Sequence, residues 1–175
     1  MNNETLIKNA KKAYEKKEYR QAADLFSSIA ESIPESDDPI QKAEMQNNSS
    51  VSWLLAGEPE KALEACLHTD EVFAQRNDLR SQAMALGNQA AAYEALGDTE
   101  KAIEKFQAAS DLLKEIGDES LRAYILQNLS GLQLKSGDQF QSIATMHTAL
   151  ENKEKLSLKE KFLKKLLRIP FKMMP

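Results

Sequence analysis

Few side chains in this sequence could do covalent or metal chemistry. Cys66 is the only cysteine, so no intrachain disulfide or CxxC pair can form. The two histidines, His68 and His147, stand far apart in the chain, and neither has the His/Glu spacing of a metal site. No GxSxG, HExxH or glycine-rich phosphate loop occurs. Neither an enzyme nor a metal or other cofactor is therefore expected. What does recur is an amide: Asn48, Asn88 and Asn128 are spaced 40 apart. A side-chain amide carries an acceptor and donors, so it can pair with the N–H and C=O of a peptide group and hold an extended backbone whatever its side chains. The same amide can bond only water or a neighbouring helix, and the spacing leaves both readings open.

One residue type at a fixed period requires elements that repeat at that period, and other columns share it. Ala22, Ala62, Ala102 and Ser142 are each 40 apart, and so are Glu18, Glu58, Asp98 and Asp138, preceded by Lys17, Gly57, Gly97 and Gly137. Asp38, Asp78 and Asp118 form a third column, with Asn77 and Gly117 before the last two. Glycine in the left-handed conformation ends a helix, and an acidic residue beside it can cap the next helix. Asp38, Pro39 and Gln41 read as N-cap, first-turn proline and capping box. Each period thus holds two helices. The A helices are predicted near 3–16, 39–56, 79–96 and 119–136, and the B helices near 18–33, 58–76, 98–116 and 138–156. Apolar residues keep helical spacing between these marks, as in Ile103, Phe106, Ala109 and Leu113, and no stretch alternates as a strand would. The predicted class is all-α.

With 175 residues, 42% apolar and 29% charged, the chain is sized for one soluble domain with a core. No apolar run is long enough to span a membrane, and the N-terminal residues lack the apolar stretch of a signal peptide. With the lone cysteine, this predicts a cytoplasmic protein. The net charge of −4 is unevenly divided. Residues 152–175 hold eight of the 23 Lys/Arg and two of the 27 Asp/Glu, a local +6, which leaves 15 against 25, or −10, for the rest. An acidic body argues against nucleic acid as a partner.

Small residues recur where paired helices must approach, at Ala10, Ser50, Ala90 and Ser130 and in the Ala22 column, with Phe26, Cys66, Phe106 and Met146 beside them. On these residues the sequence resembles the tetratricopeptide repeat (TPR) family. Gly97 to Ala109, preceded by Ala90 and Tyr93, follows the family motif, and the first unit fits through Tyr19, Ala22, Phe26 and Pro34. The second and fourth units depart from it: Cys66 and Met146 replace the aromatic, Thr69 replaces an alanine, and Gln133 stands in the column of Trp53 and Tyr93. The period of 40 exceeds the family's usual ~34. It is similar to the longer repeats of kinesin light chains and Pins-type adaptors.

The resemblance implies a right-handed solenoid of four helix-turn-helix repeats, at 3–36, 37–76, 77–116 and 117–156. It also implies a non-catalytic scaffold whose A helices line a concave groove for a protein or peptide partner. The groove residues it implies are Lys8 and Lys11 in the first repeat, Asn47, Asn48, Val51 and Leu55 in the second, Met84 and Asn88 in the third, and Tyr124, Gln127 and Asn128 in the fourth. Gly87 and Gly131 lie on the same helices, where glycine either opens space or permits close packing. The Lys/Arg set of a two-carboxylate clamp is incomplete, because Met84 and Asn88 stand where basic residues are required.

Residues 157–175 form a separate unit. Ser157, Leu158, Lys159 and Glu160 read as a capping box, opening an amphipathic helix that Pro170 is expected to stop. Its aliphatic side carries Phe162, Leu163 and Leu166; Lys161, Lys164, Lys165 and Arg168 form a basic side, and Phe171 follows the proline. Three roles are open: a cap over the last repeat with the basic side outward, a peripheral contact with an anionic membrane, and docking into the groove of its own or another copy. The function expected is a scaffold binding a partner segment. The alternative is a membrane-peripheral or assembly factor acting through this helix.

Overall fold

The computed structural model of the chain describes residues 3–34, 37–153 and 155–172, with the side chains of residues 152 and 168–172 outside that description. In chain order the helices are α1 (Asn3–Glu15), α2 (Tyr19–Ser32), α3 (Pro39–Leu55), α4 (Pro59–Cys66), α5 (Thr69–Gln75), α6 (Leu79–Leu96), α7 (Thr99–Glu115), α8 (Glu119–Lys135), α9 (Gln139–Asn152) and α10 (Leu158–Lys172). No strand occurs among the described residues. The fold is a TPR-like solenoid of helix pairs with a C-terminal helix.

Local chemistry accounts for the boundaries. Asp38, Asp78, Asp98, Asp118 and Asp138 each accept a hydrogen bond from the backbone N–H three residues on, at 2.9 to 3.3 Å. Glu18 and Glu58 share the register but make no side-chain cap, a correction to the expectation from spacing. One extra methylene takes the glutamate carboxylate past its own helix terminus, and Glu58 instead pairs with Arg20 of the preceding repeat. The stops are left-handed as the spacing required, including two that are not glycine, Lys17 at φ 63° and Asn77 at φ 56°.

The second B helix is not continuous over 58–76. It breaks into α4 and α5 at Leu67 and His68, and His68 is left-handed at φ 66°. The C=O of buried Cys66, which loses its helical partner, accepts from Thr69 Oγ1 at 2.8 Å and from Gln89 Nε2 at 3.0 Å. Gln89 also donates to Asp70 Oδ1 at 2.7 Å.

The core is a series of interfaces. One cluster centres on Ala22, Phe26 and Ile29, the next two on Trp53 with Ala62 and on Phe73 with Ala43, and the largest on Phe106, Leu113 and Leu129. Both columns of small residues are buried throughout. In the fourth repeat they meet as serines, each hydroxyl donating to the other's backbone C=O at 2.8 Å.

Candidate functional site

The residues assigned to the groove lie on α1, α3, α6 and α8, and the register that buries the small columns turns them to one side. Glu4, Ile7, Lys8, Lys11 and Glu15 of α1 line, with Lys12, one shallow depression of about 730 Å³. Asn47, Asn48, Asn88, Gln127 and Asn128 are half-buried, as is Val51. Three large apolar side chains beside them stay in solvent: Leu55 is 48% exposed, Met84 45% and Tyr124 60%. The A helices thus present half-buried amides and exposed apolar side chains together at these register positions.

The asparagine column is only partly free. Asn88 Nδ2 donates to Asn47 Oδ1 across the α3–α6 gap at 3.2 Å, and Thr69 Oγ1 lies 3.3 Å from the same oxygen. Among the described residues the side-chain amides of Asn48 and Asn128 make no hydrogen bond. Ion pairs tie the same helices together: Arg80 Nε to Asp118 Oδ2 at 3.0 Å and Lys135 Nζ to Glu94 Oε1 at 2.7 Å. The glycines divide. A Cβ at Gly87 would lie 2.9 Å from Ile125 Cδ1, so Gly87 serves the close approach of α6 and α8, whereas a Cβ at Gly131 would meet nothing within 4 Å.

Among the described residues no group of three His, Cys, Asp or Glu could hold a metal ion. Cys66 is buried in the aromatic column, and burial pushes its thiol up to about 11, the reverse of what a nucleophile needs. His68 is exposed and pairs with Glu71 at 2.8 Å. The residues that sequence reasoning missed are Thr69, as a network member, and Gln89. Thr69 is polar in a column otherwise held by Ile29, Ala109 and Ala149, and that departure is the signal that marks it; Gln89 shares its column with Asn9 and Ser49, so its polarity gave no signal.

The C-terminal helix differs from expectation in two ways. It continues past Pro170 to Lys172, where the sequence predicts a stop. It also does not bury its aliphatic side as one face. Leu163, Lys164 and Leu167 are half-buried towards the array, while Leu158, Phe162 and Leu166 are 85%, 70% and 49% exposed. The basic residues divide too. Lys164 Nζ donates to Leu150 O at 3.0 Å, closing the C-terminal end of α9, and Lys161 and Lys165 face solvent. The side chains of Arg168 and Phe171 lie outside the described residues.

The capping box is complete, with Ser157 N donating to Glu160 Oε2 at 2.8 Å and Glu160 N to Ser157 Oγ at 3.3 Å. Lys153 also pairs with Glu160, and these donors hold its carboxyl down to about 2. Among the described residues no helix is long and apolar enough to cross a membrane.

Comparison with known proteins places this geometry in context. The model of the family described as "SNAP: Soluble NSF attachment protein" matches residues 1–169. No curated protein gives a significant match. Among solved structures, the chain is similar to a Podosopora anserina protein described as a kinesin light chain with nearly identical TPR-like repeats. A point variant of that protein has TM-score 0.71 at 12% identity, covering 94% of this chain and 92% of that one. A second structure has TM-score 0.69 at 10% identity, covering 98% and 97%.

Proposed function

The chain belongs to the soluble NSF attachment protein family, and from that premise we propose that it is a non-catalytic scaffold which grips a segment of a partner protein along its A helices. The family description names an attachment protein, and the extended concave surfaces of helical solenoids serve protein binding. The observation that carries the reading is the set of large apolar side chains, Leu55, Met84 and Tyr124, left in solvent at register positions that run alongside half-buried amides. Asn48 and Asn128 would hold the partner's backbone, Asn88 would share its amide between Asn47 and the ligand, and the apolar residues with Val51 and Gln127 would fix its side chains. Lys8 and Lys11 extend the groove to the first repeat.

The test compares the whole protein with Asn48→Ala/Asn88→Ala/Asn128→Ala in affinity capture from native extract. The partner should be retained at least tenfold less well by the variant, since each lost hydrogen bond is worth roughly 1 kcal/mol. A partner held equally by both would sink the amide ladder. Asn88 also bonds inside the array, so Met84→Ser/Tyr124→Ser, which removes only exposed side chains, serves as the second variant.

A second reading is favoured by the exposed apolar row of α10. On it the protein is a cytoplasmic, membrane-peripheral or assembly factor that uses the C-terminal helix as a docking surface, for a bilayer, a partner or another copy.

A further inference from the structure

The outer face of α10 carries exposed side chains that the groove leaves unused. Around the helix its exposed residues follow the order Lys161, Lys165, Leu158, Phe162, Leu166, Lys159. An apolar row therefore runs between two lysine margins. Glu160 sits on the side turned to the array, occupied by Lys153 and Ser157. Lys159, Lys161 and Lys165 make no ion pair among the described residues.

We propose that this face docks on the surface of an anionic lipid bilayer, with Leu158, Phe162 and Leu166 entering the boundary between headgroups and acyl chains and the three lysines lying on lipid phosphates. The proposal rests on the second reading above, is independent of the groove, and commits that reading to lipid.

Three observations favour lipid over a protein partner. Among the described residues the exposed arc offers apolar area and point charges, with no carboxylate, amide or hydroxyl to read a specific partner. Lysine is depleted in protein interfaces but enriched beside the apolar row of helices that lie in a membrane surface, where its long stem lets the charge reach the phosphates. The charge distribution also sets an orientation. The body, at −10 outside residues 152–175, is repelled by an anionic surface, so contact is confined to this end of the array and the A helices stay in water. The helix has 15 residues and lies along the surface.

The experiment uses the full chain with vesicles of phosphatidylcholine alone or mixed with phosphatidylglycerol. Co-sedimentation should occur with the mixed vesicles only and weaken with added salt. Leu158→Ser/Phe162→Ser/Leu166→Ser should abolish it and lower Tm by at most a few degrees, because Leu158 and Phe162 are largely in solvent and only Leu166 is half-covered. Lys161→Gln/Lys165→Gln should lower partitioning about thirtyfold, at about fivefold per lysine. Tryptophan emission from Phe162→Trp should shift to the blue on the mixed vesicles.

Failure to sediment with mixed vesicles, equal sedimentation with neutral ones, or binding that survives the triple serine change would overturn the proposal. If no vesicle binds but the triple change abolishes concentration-dependent self-association or a protein assembly, lipid is refuted while the docking reading of α10 stands. Loss of neither refutes both.

Discussion

Two glycines on the A helices look alike in sequence and have different jobs. Gly87 and Gly131 each forgo about 1 kcal/mol relative to alanine in a helix interior. At Gly131 a Cβ meets nothing within 4 Å, so Gly131→Ala should stabilise the chain by about that amount and raise Tm by about 3 °C. At Gly87 the new Cβ comes within 2.9 Å of Ile125 Cδ1, and much of the gain should be lost in moving that methyl. Thermal melts of the two variants check this, and equal gains would mean that Gly87 does not set the approach of α6 to α8. The sequence left both readings open because a glycine states only that a Cβ is missing, while what faces it comes from the next repeat. Aspartate caps were legible for the opposite reason: donor and acceptor are three residues apart and need no tertiary context. Glu58 shows the limit of that logic, since its charge suits a helix start but Arg20 of another repeat takes it.

At the scale of elements, helix register followed from periodicity, whereas the break between α4 and α5, which adds one helix to those expected, depended on chemistry across a helix pair. Cys66 is fully buried, and its C=O has two side-chain donors, Thr69 and Gln89, in place of a backbone one. Each donor alone can satisfy it. Thr69→Val and Gln89→Leu should therefore each cost about 1 kcal/mol in denaturant unfolding. The double variant should exceed their sum by about 1–2 kcal/mol, because only then is the buried carbonyl orphaned. Additive costs would show that the break is held by packing around Phe73 instead. Cys66 provides a second readout. With its thiol pushed up to about 11 it should resist a thiol reagent at neutral pH, and the double variant should react faster as α4 and α5 loosen. Asn47 accepts from Asn88 and lies beside Thr69, so the same network reaches the proposed groove. That link could not be read from the sequence, since it joins residues of three helices that only folding brings together.

For the whole molecule, a solenoid divides its stability among neighbouring interfaces, so the effect of removing one end should be local. The net charge of −4 conceals the relevant asymmetry, an acidic array carrying a cationic helix. Composition along the chain revealed that division, but not which way α10 would turn. A strong amphipathic pattern predicts that the apolar side is buried, yet the side facing α9 is set by Leu163, Leu167, the Lys164 bond to Leu150 O and the Lys153–Glu160 pair. Half-burial of two leucines is worth roughly 2–3 kcal/mol, enough to hold α10 in place but small beside the sum of the other interfaces. Deleting residues 157–175 should thus speed backbone amide exchange in α8 and α9 and lower Tm by a few degrees, leaving exchange in α1 to α7 unchanged. A collapse of the melting transition, or faster exchange as far as α2, would mean instead that α10 is an obligatory cap. Its exposed row would then be the residue of a structural role, with docking secondary to it.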